Sequence, residues 1–374
     1  MKRFFGRHSN AEDRGFISLI YRGLLGRDPD EGGLQHFSGL LRKGELDRLG
    51  LIESVLASNE FKQRAASGIR PGSNGPFGCL ESEARGLFDK FQKHRGPGRK
   101  GFVTNFLGGV TDVRFVKGIE GLSGVVENYP IPGNFHGDTL EWIGTLRSAL
   151  EARGKFVMFE LGAGWAPWCV IGYLAAKQCG IADIKVIGVE GDAGHIDFIR
   201  ETFAANGIGP QVGRVIHSIA GVTDGEALFP IANDASRVYG GAAAFSDADR
   251  KAGVFAEFVA TQSTLVGEVE RLPCLSLATL MQEFDQVDLI HCDIQGSEAK
   301  VLNSSIEQIS AKVKRIVIGT HSFEIERDLA SLFPKHNWNL EGINACAMRE
   351  DNGKPVLTHD GVQVWRNARL SSAQ

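Results

Sequence analysis

The chain has 374 residues, of which 43% are hydrophobic and 23% are charged, and its formal net charge is -4 at pH 7. This length and balance predict a soluble protein with two domains, or with one large domain and an appendage. The negative charge argues against general nucleic-acid binding, because neutralising phosphates requires clustered Lys and Arg. No apolar run is long enough to span a bilayer and no signal peptide is visible, so we expect a cytoplasmic protein without a membrane span.

The first part of the chain is predicted to be helical. Apolar residues recur at helical spacing between residues 14 and 65, and the turn-like stretch from Gly26 to Gly33 interrupts them. A stretch rich in Pro, Gly and Ser, from Ser67 to Gly78, predicts a linker, and a short amphipathic helix is expected around Leu87 to Phe91. The predicted units are a small helical domain over 1–66, a linker with a short helix over 67–101, and a larger domain over 102–374.

The larger domain alternates between apolar strands and amphipathic helices. This pattern predicts an α/β fold with a doubly wound, mostly parallel sheet that helices cover on both faces, with its core over 155–370. The five predicted strands of this core cover residues 156–161, 184–190, 213–222, 287–294 and 314–321. Two further runs, WNLEGINA and GVQVWRN, are predicted to close the sheet as an antiparallel hairpin.

An insertion of about residues 224–271 separates the third and fourth predicted strands. It is rich in Gly and Ala and lacks a clean periodicity, which predicts a mobile lid or substrate loop. We expect the choice of substrate to depend on this segment.

Two glycines and an acid form a candidate cofactor site. Gly162 and Gly164 follow the first strand, where they let the backbone turn sharply and approach a ligand closely. Glu190 ends the second strand, where a carboxylate can accept hydrogen bonds from both hydroxyls of an adenosine ribose. This pattern alone does not distinguish a dinucleotide from S-adenosylmethionine. Pro167 argues against a dinucleotide, because it stands at the third glycine position of that motif and lacks the amide that would bind a pyrophosphate.

Three motifs between Phe156 and about Phe323 resemble those of the FkbM family of methyltransferases: FELGAGWAPW, VIGVEGDAGH and HCDIQGSEAKVL. The last is similar to the D-[VI]-[EQ]-G-x-E signature that follows the fourth strand in that family. The resemblance implies a Rossmann-like class I methyltransferase fold and S-adenosylmethionine as cofactor. It also implies O-methylation of a hydroxyl on a sugar, glycan, polyketide or related natural product.

Carried over by position, the resemblance assigns a set of cofactor-binding residues. The loop around Glu160 would hold the methionine side, Glu190 the ribose, and Ile219 with Ala220 the adenine, and Trp165 is a candidate for stacking. The full set is Glu160, Gly162, Gly164, Trp165, Glu190, Gly191, Asp192, Ile219 and Ala220. Asp293, Gln295 and Glu298 fall on the signature. Gln295 stands where the family often has Glu, which puts in doubt any role that needs a carboxylate at this position.

The segment YRGLLGRDPDEGG resembles part of a small helical domain of unknown function that is related to phycobilisome linkers and is often attached to bacterial glycan-modifying enzymes. We expect Tyr21, Arg27, Asp28 and Asp30 to cap and lock a helix turn. Calcium binding by Asp28, Asp30 and Glu31 is the alternative, but three carboxylates lack the remaining oxygen ligands. The domain is expected to dock a partner.

An alcohol that accepts a methyl group sheds a proton, and His is the usual base near neutral pH. His321, at the predicted end of the fifth strand, is the expected base, and Asp293 is expected to orient the substrate or the base. His136 is interpreted as a substrate contact or a turn residue, and His291 as a core histidine.

No resident metal is predicted. The six cysteines are scattered without a CxxC pair, which indicates neither a zinc site nor a disulfide framework. Asp293 and Glu298 holding a Mg²⁺ against a sugar diol is a minor alternative.

The predicted function is therefore S-adenosylmethionine-dependent methylation of a small-molecule or glycan acceptor. One alternative is an oxidoreductase with a nucleotide cofactor, which nicotinamide absorbance changes would reveal. The other is a non-catalytic docking protein that retains the fold, which a failure to bind S-adenosylmethionine would favour.

Overall fold

The computed structural model describes residues 10–61, 81–251, 254–351 and 354–370. The α-helices in these ranges are α1 (Asn10–Leu25), α2 (Glu31–Lys43), α3 (Arg48–Leu56), α4 (Glu81–Phe88), α5 (Thr139–Glu151), α6 (Pro167–Gln178), α7 (Ala193–Ala205), α8 (Asp247–Lys251), α9 (Val254–Thr261), α10 (Leu277–Leu280), α11 (Glu298–Ser304), α12 (Ile306–Lys312) and α13 (Phe323–Leu332). The strands are β1 (Phe102–Thr104), β2 (Val110–Asp112), β3 (Gly133–Asn134), β4 (Gly137–Asp138), β5 (Lys155–Leu161), β6 (Asp183–Glu190), β7 (Gly213–His217), β8 (Ile219–Gly221), β9 (Gly225–Ala232), β10 (Val266–Ser276), β11 (Val287–Cys292), β12 (Val313–Thr320), β13 (Trp338–Asn344), β14 (Ala347–Asp351), β15 (Lys354–His359) and β16 (Gly361–Asn367). None of the helices in the described ranges has the length and apolar character needed to cross a membrane.

Seven strands form the central sheet in the order β7, β6, β5, β11, β12, β16, β13. Neighbouring strands are parallel, except that β16 runs antiparallel to both β12 and β13. The chain moves outward from β5 to β7 on one side and from β11 towards β13 on the other, so the switch point lies between β5 and β11. This is the Rossmann-like class I methyltransferase fold that the resemblance implies. Doubly wound sheets bind ligands in the crevice at such a switch point.

Strand β5 shows why the central strands are apolar almost throughout. Phe156 and Met158 belong to the hydrophobic core that includes α5 and α6, whereas Val157 and Phe159 belong to the core on the opposite face. Successive side chains of a strand point to opposite faces. A strand that helices cover on both sides therefore needs apolar residues at consecutive positions.

Helix α1 packs against the sheet, α2 and α3 pack against α1, and the three helices share one of the two hydrophobic cores of the sheet. Helix α1 lies against β13, where the amide of Ala345 donates a hydrogen bond to the carbonyl of Gly23 over 3.2 Å. The rings of Phe61 and Phe323 meet edge to face, with 5.2 Å between their centroids. The helical segment is thus joined to the sheet by apolar contact and by a backbone hydrogen bond.

The turn between α1 and α2 is locked by its acidic residues, as the sequence predicts. The side chain of Asp30 accepts a hydrogen bond from the amide of Gly33 over 2.7 Å and caps α2. Arg27 forms an ion pair with Glu60, with 2.7 Å between Nε and Oε1. Asp30 therefore serves the local turn, and Arg27 joins this turn to the residues that follow α3.

The segment from 224 to 271 contains more regular structure than a loop. Strand β10 pairs antiparallel with β9 and parallel with β8, which makes a second, three-stranded sheet, and α8 and α9 lie between β9 and β10. The prediction of an irregular segment was wrong for β9 and β10. The reason is that most of the β10 side chains between Gly267 and Arg271 are exposed, so no apolar pattern marks the strand.

Two smaller predictions differ in detail, and a third is not tested. WNLEGINA and GVQVWRN do pair antiparallel as β13 and β16, but the β14–β15 hairpin separates them in the chain. The helix expected around Leu87 to Phe91 begins earlier, at Glu81, as α4. The linker from Ser67 to Gly78 lies outside the described residues.

Replacing Gly23 by Ala tests the packing of α1 against the sheet. An added Cβ would overlap the carbonyl and side chain of Ile343, so we expect Gly23→Ala to lower the free energy of unfolding by about 1–3 kcal/mol. Urea denaturation followed by circular dichroism measures the change.

Gly39→Ala in α2 is the matched control, because a Cβ added to Gly39 would have no neighbouring atom within 4 Å. Helix propensity predicts that it leaves stability unchanged or raises it by up to about 1 kcal/mol. Equal effects of the two substitutions would contradict the close packing of α1 on β13.

Candidate active site

The loop after β5 approaches the loop after β11 so closely that only glycine fits. Gly162 has a φ of 73° and Gly164 a φ of 57°, which is the left-handed region that favours glycine. A Cβ on Gly162 would overlap the backbone carbonyl of Asp293. The glycine pattern read from the sequence therefore reflects both a sharp turn and a close approach between two strand ends.

Glu190, at the end of β6, holds the neighbouring loops through backbone amides. Its Oε2 accepts a hydrogen bond from the amide of Gly164 over 2.8 Å, and its Oε1 accepts from the amides of Gly191 and Asp192 over 2.7 and 2.8 Å. Burial opposes ionisation of Glu190, but His195 and these hydrogen bonds outweigh it, and the pKa of Glu190 is lowered. Glu190 is thus an ionised, almost fully buried acceptor.

Two other predicted acids cap helices. Glu160 accepts hydrogen bonds from the amides of Trp168 and Cys169 at the start of α6, over 3.2 and 2.7 Å, and burial raises its pKa to about 8. Asp192 caps α7 through the amide of Gly194 over 2.8 Å and also accepts from the amide of Ala232 over 2.8 Å. The sequence pattern gave no sign of these capping roles.

All nine residues of the predicted cofactor set line one cavity of about 430 Å³, which we call the cofactor cavity. This volume is in the range of small-molecule sites. The indole Nε1 of Trp165 is buried there and makes no hydrogen bond with any residue that the structure describes. It is a donor that a bound ligand could satisfy.

Tyr239 completes the cofactor cavity and was missed by the sequence reasoning. Its ring stacks on His195 with 4.4 Å between centroids and meets Trp165 edge to face at 5.2 Å. Its hydroxyl donates a hydrogen bond to the carbonyl of Phe115 over 2.7 Å. The residue lies in the insertion between β9 and β10, where no motif marks it.

A second cavity, of about 580 Å³, adjoins the first, and we call it the acceptor cavity. His136, Asp293 and Asp360 line both cavities. Among the described residues that line the acceptor cavity, none is Lys or Arg. Asp360, which lies between β15 and β16, was not predicted.

Asp293 faces both cavities and is held by its own loop. Its Oδ1 accepts a hydrogen bond from Nε2 of Gln295 over 2.8 Å, and Gln295 itself has a positive φ of 54°. Burial raises the pKa of Asp293 to about 6, against the opposing effect of His321. The Gln at the signature position thus acts here as a donor to Asp293.

His321 lies in a pocket of acids, and it is not among the residues that line either cavity. Its Nδ1 lies 3.1 Å from Oε1 of Glu298, and its Nε2 lies 3.3 Å from Oδ1 of Asp293. Burial alone would lower its pKa, but Glu298, Asp293 and Asp360 raise it to about 10. The expectation that His321 acts as a base does not fit this setting, because such an imidazole already carries its proton at neutral pH.

The other two histidines are neutral and buried. His136 has Nε2 3.3 Å from Oγ1 of Thr111, and burial lowers its pKa to about 3. His291 stacks on Trp168 with 4.7 Å between centroids and has Nε2 3.0 Å from Oε1 of Glu141. His291 is a core histidine, as interpreted from the sequence, whose ring also reaches the cofactor cavity.

Comparisons with known proteins agree with this architecture. Residues 2–65 match the domain of unknown function DUF4214, and residues 173–337 match the methyltransferase FkbM domain. A protein of Jannaschia sp. (strain CCS1) named "putative methyltransferase" is 35% identical over 283 residues, which are 75% of this chain and 98% of that protein.

Two solved structures are similar at lower identity. Methyltransferase FkbM from Methylobacillus flagellatus KT is 14% identical, with 57% of this chain and 44% of that chain covered and a TM-score of 0.35. Precorrin-6y C5,15-methyltransferase from Geobacter metallireducens GS-15 is 10% identical, with 61% and 88% covered and a TM-score of 0.34.

The family match, the relative from Jannaschia and the sheet order together define a methyltransferase with the class I fold. The chain belongs to the FkbM methyltransferase family. Its DUF4214 domain precedes the methyltransferase domain in the sequence. This membership favours the methyltransferase over the oxidoreductase alternative.

The pH dependence of stability tests the burial of Glu127, which lies beside the acceptor cavity. Its Oε2 lies 3.8 Å from Nδ1 of His136, and burial raises its pKa from 4.5 to about 7. Between these two values the folded state binds more protons than the unfolded state, so stability falls as pH rises. Glu127→Gln cannot titrate, so we expect it to gain up to about 3 kcal/mol over the wild type between pH 4 and pH 8.

Urea denaturation at several pH values measures this difference. Glu226→Gln, at an exposed position, controls for the loss of a charge. Parallel stability curves for wild type and Glu127→Gln would show that Glu127 is not buried as described.

Proposed function

We propose that this methyltransferase uses S-adenosylmethionine to methylate a hydroxyl group of a sugar, glycan or related natural product. The observation that carries the proposal is the junction of the two cavities at Asp293, next to the glycine loop at the switch point of the sheet. A methyl donor in one cavity and an acceptor in the other would meet at this junction.

The residues of the cofactor cavity fit the proposed cofactor. Three amides use part of the capacity of the Glu190 carboxylate, which has about four lone-pair sites, so a ribose hydroxyl can still donate to it. Gly162 and Gly164 expose backbone to the ligand, and Ile219 and Ala220 offer an apolar wall for a base. The unpaired Nε1 of Trp165 adds a hydrogen-bond donor.

The lining of the acceptor cavity favours an uncharged hydroxyl compound as the methyl acceptor. When bound, the cofactor supplies an electrophilic methyl group, and the chain must hold the acceptor oxygen in line with it. We assign this positioning to Asp293, the carboxylate that faces both cavities. Because acids line the acceptor cavity without Lys or Arg among its described lining residues, an anionic acceptor such as a sugar phosphate would lack a counter-charge.

Titration calorimetry with S-adenosylmethionine tests the cofactor assignment. Glu190→Gln keeps the shape of the side chain and removes its charge, so we expect a loss of about 1–3 kcal/mol in binding, which is roughly 5-fold to 150-fold in Kd. Asp197→Asn, an exposed acid on α7, is the control and should bind like the wild type. Failure of the wild type to bind would overturn the cofactor proposal.

Asp293→Asn separates binding from transfer. We expect Kd for S-adenosylmethionine to change by less than about 3-fold and methyl transfer to fall by about 100-fold, the cost of a misplaced reacting group. The measurement is incorporation of labelled methyl into matched neutral and phosphorylated sugars. Preferred methylation of the phosphorylated member, or an unchanged rate in the variant, would contradict the proposal.

A further inference from the structure

The acidic pocket around His321 has a geometry that suits a metal ion. The imidazole is held between Glu298 on its Nδ1 side and Asp293 and Asp360 on its Nε2 side, at 3.1, 3.3 and 3.8 Å. These groups come from three different strand ends, after β11, after β12 and before β16. One atom each from Asp293, Glu298 and His321 can be chosen so that all lie within 4.8 Å of one another.

The Nε2 atom of His321 is a buried nitrogen without a hydrogen bond. The side chain is only 8% exposed, and Nε2 makes no hydrogen bond within the described part of the chain. Its polar neighbours are carboxylate oxygens of Asp293 and Asp360, at 3.3 and 3.8 Å, which are acceptors, so the position between them suits a positive charge, either the proton of the imidazolium or a cation that replaces it.

Glu298 is suited to orient His321 rather than to bind an ion itself. Its side chain is fully buried, and its oxygens accept hydrogen bonds from the amides of Ile294 and Gly296 over 3.0 and 3.1 Å. A cation that replaces the Nε2 proton of the imidazolium needs the lone pair of that nitrogen, and the fixed carboxylate at Nδ1 keeps the remaining proton on Nδ1. Metal-binding histidines usually have this second partner.

The distance between the proposed ligand atoms also agrees with binding to a common metal ion. Ligands about 2.1 Å from a common ion and roughly 90–110° apart are separated by about 3.0–3.4 Å, close to the 3.3 Å between His321 and Asp293. Asp360 lies outside the group whose donor atoms are within 4.8 Å of one another, but its Oδ1 is 3.8 Å from Nε2 of His321 and its side chain is 55% exposed, so it would join the ion by rotating towards it. We propose that Asp293, Asp360 and Nε2 of His321 bind a divalent cation such as Mn²⁺, with Glu298 orienting the histidine.

The proposed cation would act on the acceptor, and because the carboxylates of Asp293 and Asp360 balance its two charges, it leaves the acceptor cavity without a net positive charge for an anionic acceptor. Since Asp293 and Asp360 line the acceptor cavity, an open coordination position could take the acceptor hydroxyl, whose proton would become more acidic and leave to water in the cavity. The oxygen lone pair is then free for the methyl group. This role in catalysis rests on the proposed function, whereas binding of the cation does not.

Electron paramagnetic resonance of Mn²⁺ with the full, chelator-treated chain tests the site. We expect one bound ion per chain and, in spin-echo experiments, modulation from a coordinated ¹⁴N that is lost in His321→Gln. Asp360→Asn should weaken Mn²⁺ binding at least 10-fold, the scale of effects seen around metal ligands. Asp328→Asn, whose side chain is 56% exposed, should bind like the wild type.

The outcomes are separable. Absence of bound Mn²⁺ at millimolar concentration, absence of ¹⁴N modulation in the wild type, or equal binding by Asp360→Asn and Asp328→Asn would overturn the cation site and show a closed ion-pair cluster. The wild-type spectrum decides the matter even if a variant fails to fold. If the chain binds S-adenosylmethionine but does not bind Mn²⁺, only the cation site is contradicted. If it binds Mn²⁺ but does not bind S-adenosylmethionine, only the cofactor proposal is contradicted.

Discussion

The loops that follow β5 and β11 meet at the carbonyl of Asp293 with no room for a side chain on Gly162. Parallel strands that share a switch point end on the same edge of the sheet, and their loops turn to opposite faces. The crevice between the loops becomes a site only if the two backbones can come this close. Contact at Gly162 brings Asp293, on one loop, beside the cavity that the other loop helps to form. The relation between the two cavities depends on this contact.

Buried carboxylates hold the remaining loops in position. Glu160, Glu190, Asp192 and Glu298 each accept hydrogen bonds from backbone amides of the loop or helix that follows their strand end. Helix starts and sharp turns leave amides without partners, and an acid satisfies them at short range. The same acids lie in or behind the walls of the cavities. They therefore affect both the positions of the loops and the chemistry of the site. Their substitution would disturb both, which is why conservative changes and matched controls are needed.

The sequence predicted most of the sheet because apolar runs with glycine and acid endings mark buried parallel strands directly. Gly162, Gly164 and Glu190 follow from the same signal, whereas the wider set of nine predicted residues, all of which line the cofactor cavity, came from the resemblance to the FkbM family. The role of His321 could not be predicted, because its pKa depends on Glu298 and Asp360, which the fold brings to it from other strand ends. Asp360 and Tyr239 carry no motif, and each reaches the site only through tertiary packing. The packing of α1 against β13 could not be predicted either, because the sequence does not show that Gly23 contacts Ile343.

We propose that the cofactor cavity, between Gly162 and Glu190, binds the methyl donor and opens towards Asp293. A crystal structure of the full chain with S-adenosylhomocysteine, the demethylated product, tests this most directly. We expect ribose hydroxyls on the Glu190 carboxylate, the base against Ile219 and Ala220, and the sulfur at the junction with the acceptor cavity. A ligand bound elsewhere, or one whose sulfur faces away from Asp293, would contradict it.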